Sequence, residues 1–204
     1  MAVDGYMYFK NYDQNDGGKY LPSESTVSID DNNEPLVKSF KFKDAAKQAD
    51  ANKGQNSGLF EIEDFSFDVE QTLNIGSQST GAGAGKITFN PYSITRKIDI
   101  SSPTLFNYAC SGTAFKEVVL GLRKSAGGTQ GGGIYLVFRF KLVAVKTISW
   151  SYDDESPKET ITFEYGGLQM HYSPQEANGA LKASLPGGWN RVKNIRDLTD
   201  DPIS

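Results

Sequence analysis

Apolar positions along this chain recur mainly with a period of two, the spacing of half-buried strands. Residues 2–9 (Ala-Val-Asp-Gly-Tyr-Met-Tyr-Phe) predict a first strand. From residue 59 the pattern strengthens: Phe60 and Ile62 share one parity, and Phe65, Phe67 and Val69 the other. A parity change is what one extra residue produces, so a bulge is expected near Glu63-Asp64. Ile87 and Phe89 alternate, and residues 92–100 continue as strand. Val118, Leu120 and Leu122 alternate, as do Ile134, Leu136, Phe138, Phe140 and Leu142, and the Gly127 to Gly133 cluster between them predicts a hairpin. Ile148 and Trp150 follow on. Ile161, Phe163 and Tyr165 precede Gly166-Gly167, after which Leu168, Met170 and Tyr172 resume on the opposite parity. Glycine at a phase break predicts a bulge or a sharp corner. Long strands with two phases suit a barrel or a tightly packed sandwich.

Three stretches depart from that pattern. Ser101-Ser102-Pro103 signals a helix, with Ser102 as N-cap, Pro103 at the first helical position and Gly112 as the stop. It spans about 102–111, with Leu105, Phe106, Ala109 and Cys110 on one face. Residues 10–58 are polar and rich in turn formers, and form a long inserted loop; within it 37–42 reads as a short strand and 44–53 as a short helix. Residues 173–204 form a polar tail containing Pro186-Gly187-Gly188-Trp189-Asn190.

Length and charge narrow the class. A chain of 204 residues fits a single domain large enough to fold without staples. One Cys and one His exclude a disulfide framework and a Cys- or His-based metal site. A net charge of −4 argues against a nucleic-acid binder. No apolar run is long enough for a membrane span, and the N-terminus shows no signal peptide, so synthesis in the cytoplasm is expected.

Candidate chemistry is sparse. Gly81-Ala82-Gly83-Ala84-Gly85-Lys86-Ile87 fails as a phosphate loop: Thr80 stands where the first Gly belongs, and Ile87 where Ser or Thr must reach magnesium. His171 lies in an alternating strand with no nucleophile elbow to serve, and reads as a sheet-surface residue. Cys110 reads as a buried structural thiol, and Asp153-Asp154-Glu155 as a solvated turn. No catalytic residue and no cofactor are expected; the chain reads as a structural or interaction protein.

Several segments, in unbroken order, resemble the haemolysin-coregulated protein (Hcp) family of type VI secretion systems. They are Met1-Ala2-Val3-Asp4, Glu61 to Phe67, Gly83-Ala84-Gly85-Lys86, Ile94 to Asp99, Ser102-Pro103-Thr104-Leu105 and Ala109 to Gly112. Arg123-Lys124-Ser125-Ala126-Gly127-Gly128 is similar to the family's Arg-Lys-Ala-Gly-Gly hairpin, with Ser125 added, and Gly188-Trp189-Asn190 to its terminal Gly-Trp-Asn. The resemblance covers about 1–9 and 59–191.

It implies a compact β-barrel of two sheets with one short flanking helix. It also implies hexameric rings that stack into a tube, carry effector cargo in the lumen, meet a spike protein of the valine–glycine-repeat family and are driven out by a contractile sheath. Secretion without a signal peptide follows. The departure is residues 10–58, longer than the family's connection there. Lys38, Lys41 and Lys43 are the candidates in it for contact with an acidic patch on the next ring. Two alternatives remain open: a tail-tube protein of another contractile injection system or phage, and a jelly-roll-like ligand-binding module. The latter would expose aromatics on one face, with Tyr6, Tyr8, Tyr135, Trp150 and Tyr165 as candidates.

Overall fold

A computed structural model of the chain describes residues 3–11, 20–27, 29, 34–46, 57–72, 87–124, 133–152, 156–176 and 180–197. Ten strands and three helices follow in order: β1 (Val3–Asn11), α1 (Pro35–Ser39), α2 (Phe42–Ala46), β2 (Phe60–Ile62), β3 (Asp64–Ser66), β4 (Val69–Gln71), β5 (Ile87–Phe89), β6 (Tyr92–Lys97), α3 (Ser102–Ser111), β7 (Ala114–Lys124), β8 (Ile134–Tyr152), β9 (Pro157–Tyr172) and β10 (Leu185–Asn190).

The main sheet runs β2-β1-β7-β8-β9-β6-β3, all neighbours antiparallel, with β10 also on β9. β4 and β5 pair as a separate ribbon. The two end strands of the main sheet, β2 and β3, are consecutive in the chain, separated by Glu63. The segment therefore pairs with β1 through Phe60 and with β6 through Phe65, bringing the sheet round into a nearly closed barrel. This is the physical form of the parity change at 63–64: the strand changes partner there rather than merely bulging.

A second phase change runs across three strands at one level. The core-facing set is Phe115 then Val118 and Leu120 on β7, Phe138 and Phe140 then Val143 and Val145 on β8, and Phe163 and Tyr165 then Leu168 on β9. The odd residues out are Lys116, Leu142 and Gly166, which the ladders skip between the flanking pairs Phe115–Val143–Tyr165 and Glu117–Lys141–Gly167. Leu142 takes a left-handed φ of 51°, uncommon for a residue with a branched side chain. A Cβ at Gly166 would lie 3.1 Å from Leu142 Cδ2, tighter than ordinary contact. The expected glycine corner is thus a crease shared by three strands, where the sheet bends to close.

The barrel interior is aromatic. The Tyr92 ring stacks on Phe140, with centroids 4.0 Å apart, and on Phe163 at 4.9 Å. α3 flanks the end of β8. Its N-cap is Ser101 rather than Ser102, and Gly112 ends it in the left-handed conformation. The Ser102 side chain turns inward instead, where its hydroxyl donates to Glu159 and accepts from Arg96. The packed face of α3 is Leu105, Tyr108 and Ala109. Phe106 and Cys110 turn outward, so Cys110 is exposed and not the buried thiol expected.

Residues 37–42 are not a strand. α1 and the turn into α2 occupy them, and the helix expected over 44–53 starts earlier, at Phe42; residues 47–53 lie outside the described set. Leu36, Val37, Phe40, Phe42 and Ala45 form a second core with Tyr6, Tyr8, Val119 and Val137 on the outer side of the sheet. The inserted segment is therefore a cover. In the tail, β10 forms despite Pro186 and two glycines, because it is an outer strand paired on β9.

Candidate assembly surfaces

The barrel presents two unlike outer faces. On β1, β7 and the first half of β8 the outward side chains lie beneath α1 and α2. A polar seam crosses this covered face: Lys10 Nζ lies 3.2 Å from Glu117 Oε1, Arg139 Nε donates to Glu117 Oε2 at 2.5 Å, and Arg139 Nη1 reaches Gln169 at 3.4 Å.

The other outer face, on β3, β6, the first half of β9 and the last part of β8, is bare. Pairing builds it in rows. Ser66, Ser93, Thr162 and Thr147 lie side by side, and so do Asp64, Thr95, Thr160 and Ser149. Lys97, Lys158 and Ser151 form a third row. Hydroxyls bridge the strands, Ser93 to Thr162 at 3.0 Å and Thr95 to Thr160 at 3.1 Å. Lys158 pairs with Glu63 at 3.2 Å. Alternate residues on the same strands, Ile94, Ile161 and Phe163, are fully buried inside. The result is a wettable surface whose rows, among the described residues, hold no large apolar side chain. Sequence reasoning missed it, although the signal exists: Ser93-Ile94-Thr95, Thr147-Ile148-Ser149 and Thr160-Ile161-Thr162 repeat one pattern on three strands.

Exposed aromatic groups stand instead at the two ends of the long β8–β9 pair. At one end Phe106 and Trp150 sit with ring centroids 6.1 Å apart beside Tyr152. At the other are Met170, Tyr172 and Leu185.

The structure distributes the sequence-nominated residues widely. Lys38 and Lys41 are exposed on the cover; Lys43, half-buried, engages other groups of the chain. Ser102 and Pro103 open α3, with Ser102 tied to the Arg96–Glu159 pair. Arg123 lies opposite Asp4 at the end of β7, and Lys124 Nζ lies 4.5 Å over the Tyr135 ring. Gly188, Trp189 and Asn190 form the second half of β10. Gly83, Gly85, Lys86, Gly127 and Gly128 lie outside the described residues.

No group of three or more metal-ligating side chains occurs among the described residues. A cavity beside β10, lined by Lys141, Gln169, Trp189, Asn190 and Asp197 among others, has about 10 Å³, room for about one water. The aromatics proposed for a ligand-binding face do not share one. Tyr6 and Tyr8 are buried under the cover and Tyr165 inside the barrel, while Tyr135 is half-buried beside Lys124 and Trp150 is exposed. Burial drives the Tyr8 and Tyr92 hydroxyls well above their ordinary pKa, and Tyr20 and Tyr165 up to about 12.

Comparison with known proteins is consistent with this architecture. The family model described as "Type VI secretion system effector, Hcp" matches residues 37–172, two thirds of the chain. Protein hcp1 of Pseudomonas aeruginosa is 33% identical over 114 residues, covering 54% of this chain and 69% of that protein. A solved type six secretion system protein superposes with a TM-score of 0.69 at 22% identity, covering 96% of this chain and all of the other. Hcp1 from Salmonella typhimurium gives 0.61 at 18% identity, over 97% of this chain and 100% of that one. The nearly closed barrel is thus a fold shared with those structures, and the chain belongs to the Hcp family of type VI secretion system proteins.

Proposed function

We propose that this chain is a structural subunit of a type VI secretion inner tube. Six copies close into a ring, rings stack head to tail, and the bare Ser/Thr face lines the channel through which effector cargo travels. The tube is capped by a spike protein, driven by a contractile sheath and exported with its cargo. The single observation that carries this reading is the contrast between the barrel's two outer faces. One is sealed by α1 and α2. The other is an uncovered sheet of small hydroxyls, which holds water and offers a passing chain no apolar grip. Two exposed apolar patches, Phe106 with Trp150 and Met170 with Tyr172, stand at opposite ends of β8–β9, and a heterologous ring contact needs two different patches.

Native mass tests the ring: six copies of a 22.3 kDa chain give about 134 kDa. A monomer at every concentration and salt tested would sink the reading. Thr160→Trp tests the channel face: the ring mass should persist while the channel narrows. Loss of the ring in Thr160→Trp would place that face at a subunit contact instead.

A further inference from the structure

His171, the chain's single histidine, lies on β9 under the edge of the cover. Its ring meets Phe40 edge-on, with centroids 4.7 Å apart and planes at 72°. Phe40 closes α1, is 7% exposed, and is held from below by Tyr8, whose hydroxyl donates to the Phe40 carbonyl at 2.5 Å. The two rings thus mark the point where the cover meets β9.

The surroundings of His171 favour a neutral ring. On β8 the residue opposite is Val137, and Arg139, two residues along and opposite Gln169, lies over the Phe40 ring at 6.0 Å. Glu117 on β7 is shared between Arg139 and Lys10. On β10, the residue opposite is Pro186. On the cover, Lys38 and Lys41 are exposed beside Phe40 in the sequence, Glu34 at the start of α1 accepts from the Ile134 N–H at 3.0 Å, and Asp44 is exposed on α2. Glu117 and Glu34 are thus already engaged, and Arg139 is the charge that bears on the His171 ring. The Nε2 atom is buried without a hydrogen-bond partner among the described residues.

We propose that His171 is an acid-sensitive latch for the α1–α2 cover. Neutral, it packs against Phe40. Protonated, it places a second cation beside Arg139 and carries an N–H donor on the buried Nε2, for which no acceptor stands among the described residues; the ring turns outward and Phe40 loses its support. The cover then opens from the Phe40 corner while Leu36, Val37 and Phe42 still hold the rest.

Burial, with Arg139 adding to it, lowers the His171 pKa below 6.5. The open state restores the ordinary value, so closure is fully favoured above about pH 6.5 and weakens as pH falls from there towards the depressed value.

Hydrogen exchange of residues 34–46, corrected for intrinsic rates, tests the latch between about pH 7.5 and about pH 5. Opening in the natural chain should rise about threefold or more. In His171→Phe, which keeps the ring packing without the proton, it should stay flat. An equal rise in both chains, or none in the natural one, overturns the latch. A second readout needs no variant: the His171 Hε1 resonance is titrated while its proximity to the Phe40 ring is followed. If the two rings stay together through the titration, the latch is again overturned. If they separate with the same midpoint as the resonance, it is supported.

Discussion

Arg96 donates from Nε to Oε1 of Glu159 across 2.9 Å inside the barrel, with 2% of one side chain and none of the other exposed. The Arg96 guanidinium also contacts Asp99 and Ser101 at the start of α3, and lies 4.7 Å over the Phe60 ring. One cation thereby ties together β6, β9, the closing segment and the helix. Arg96→Met leaves Glu159 buried and uncompensated, and should cost about 3–5 kcal/mol in urea unfolding. Combined with Glu159→Leu, much of that loss should return. Equal destabilisation in single and double variants would show that the pair itself is not what holds the barrel end.

Gly121 on β7 has no side chain because Phe42 occupies the space. A Cβ there would lie 2.6 Å from Phe42 Cζ and 3.2 Å from Ile134 Cγ2. Gly121→Ala should therefore destabilise the chain by about 1–3 kcal/mol, as overpacking does. Adding Phe42→Leu should recover part of it. Thermal unfolding of both variants checks this; no rescue would mean that the cost lies in the strand backbone.

Four tyrosines should resist ionisation while the chain is folded. Tyr20 and Tyr165 are pushed up to about 12, and Tyr8 and Tyr92 well above 10, chiefly by burial. A raised folded pKa on an acid means that the folded state holds its protons more tightly. The stability involved is complete below pH 10 and is lost as pH rises through 10 towards 12 and beyond. Absorbance at the tyrosinate band should show a late, cooperative step coincident with loss of near-ultraviolet circular dichroism. A smooth early titration of all ten tyrosines would contradict it.

Lys38, Lys41 and Lys43 lie on α1, α2 and the turn between them. If the cover meets an acidic patch on the next ring, changing the three to Glu should abolish stacking at low salt and leave the ring mass intact. Screening over about 8 Å at physiological salt should blunt the difference. Stacking unaltered across a salt series would remove these lysines from the interface.

Much of the barrel was legible because it depends on local alternation. Gly166-Gly167 marked the crease, and the parity break at Glu63 marked the closing segment. The partner change at Glu63 was not legible, since it depends on which strands lie on either side. Leu142 gave no sign of its left-handed backbone; only its place between Lys116 and Gly166 explains it. β10 was hidden by Pro186, Gly187 and Gly188, which suit an outer strand but read as a loop. Phe40 and Phe42 alternate like strand residues, yet both serve a second core built by residues far away in the chain. The hydroxyl face was written in three Ser/Thr-Ile-Ser/Thr triplets, but alignment of those triplets is a property of register, which no single triplet carries.

The cover leaves the barrel from the end of β1 and returns at β2, and those two strands pair with each other, Met7 opposite Phe60. Bridges at Lys10–Tyr20 and Ser23–Ser57 draw its base together. It is therefore a side branch with a closed neck, docked on β7, β8 and β9 through Phe42, Phe40 and their neighbours. Doubling such a loop costs only about 0.6 kcal/mol in closure entropy. Evolution and engineering alike have a graft point here: the outer coat can gain length between the neck and the docked α1–α2 pair while the closing segment, the crease and the hydroxyl face stay as they are.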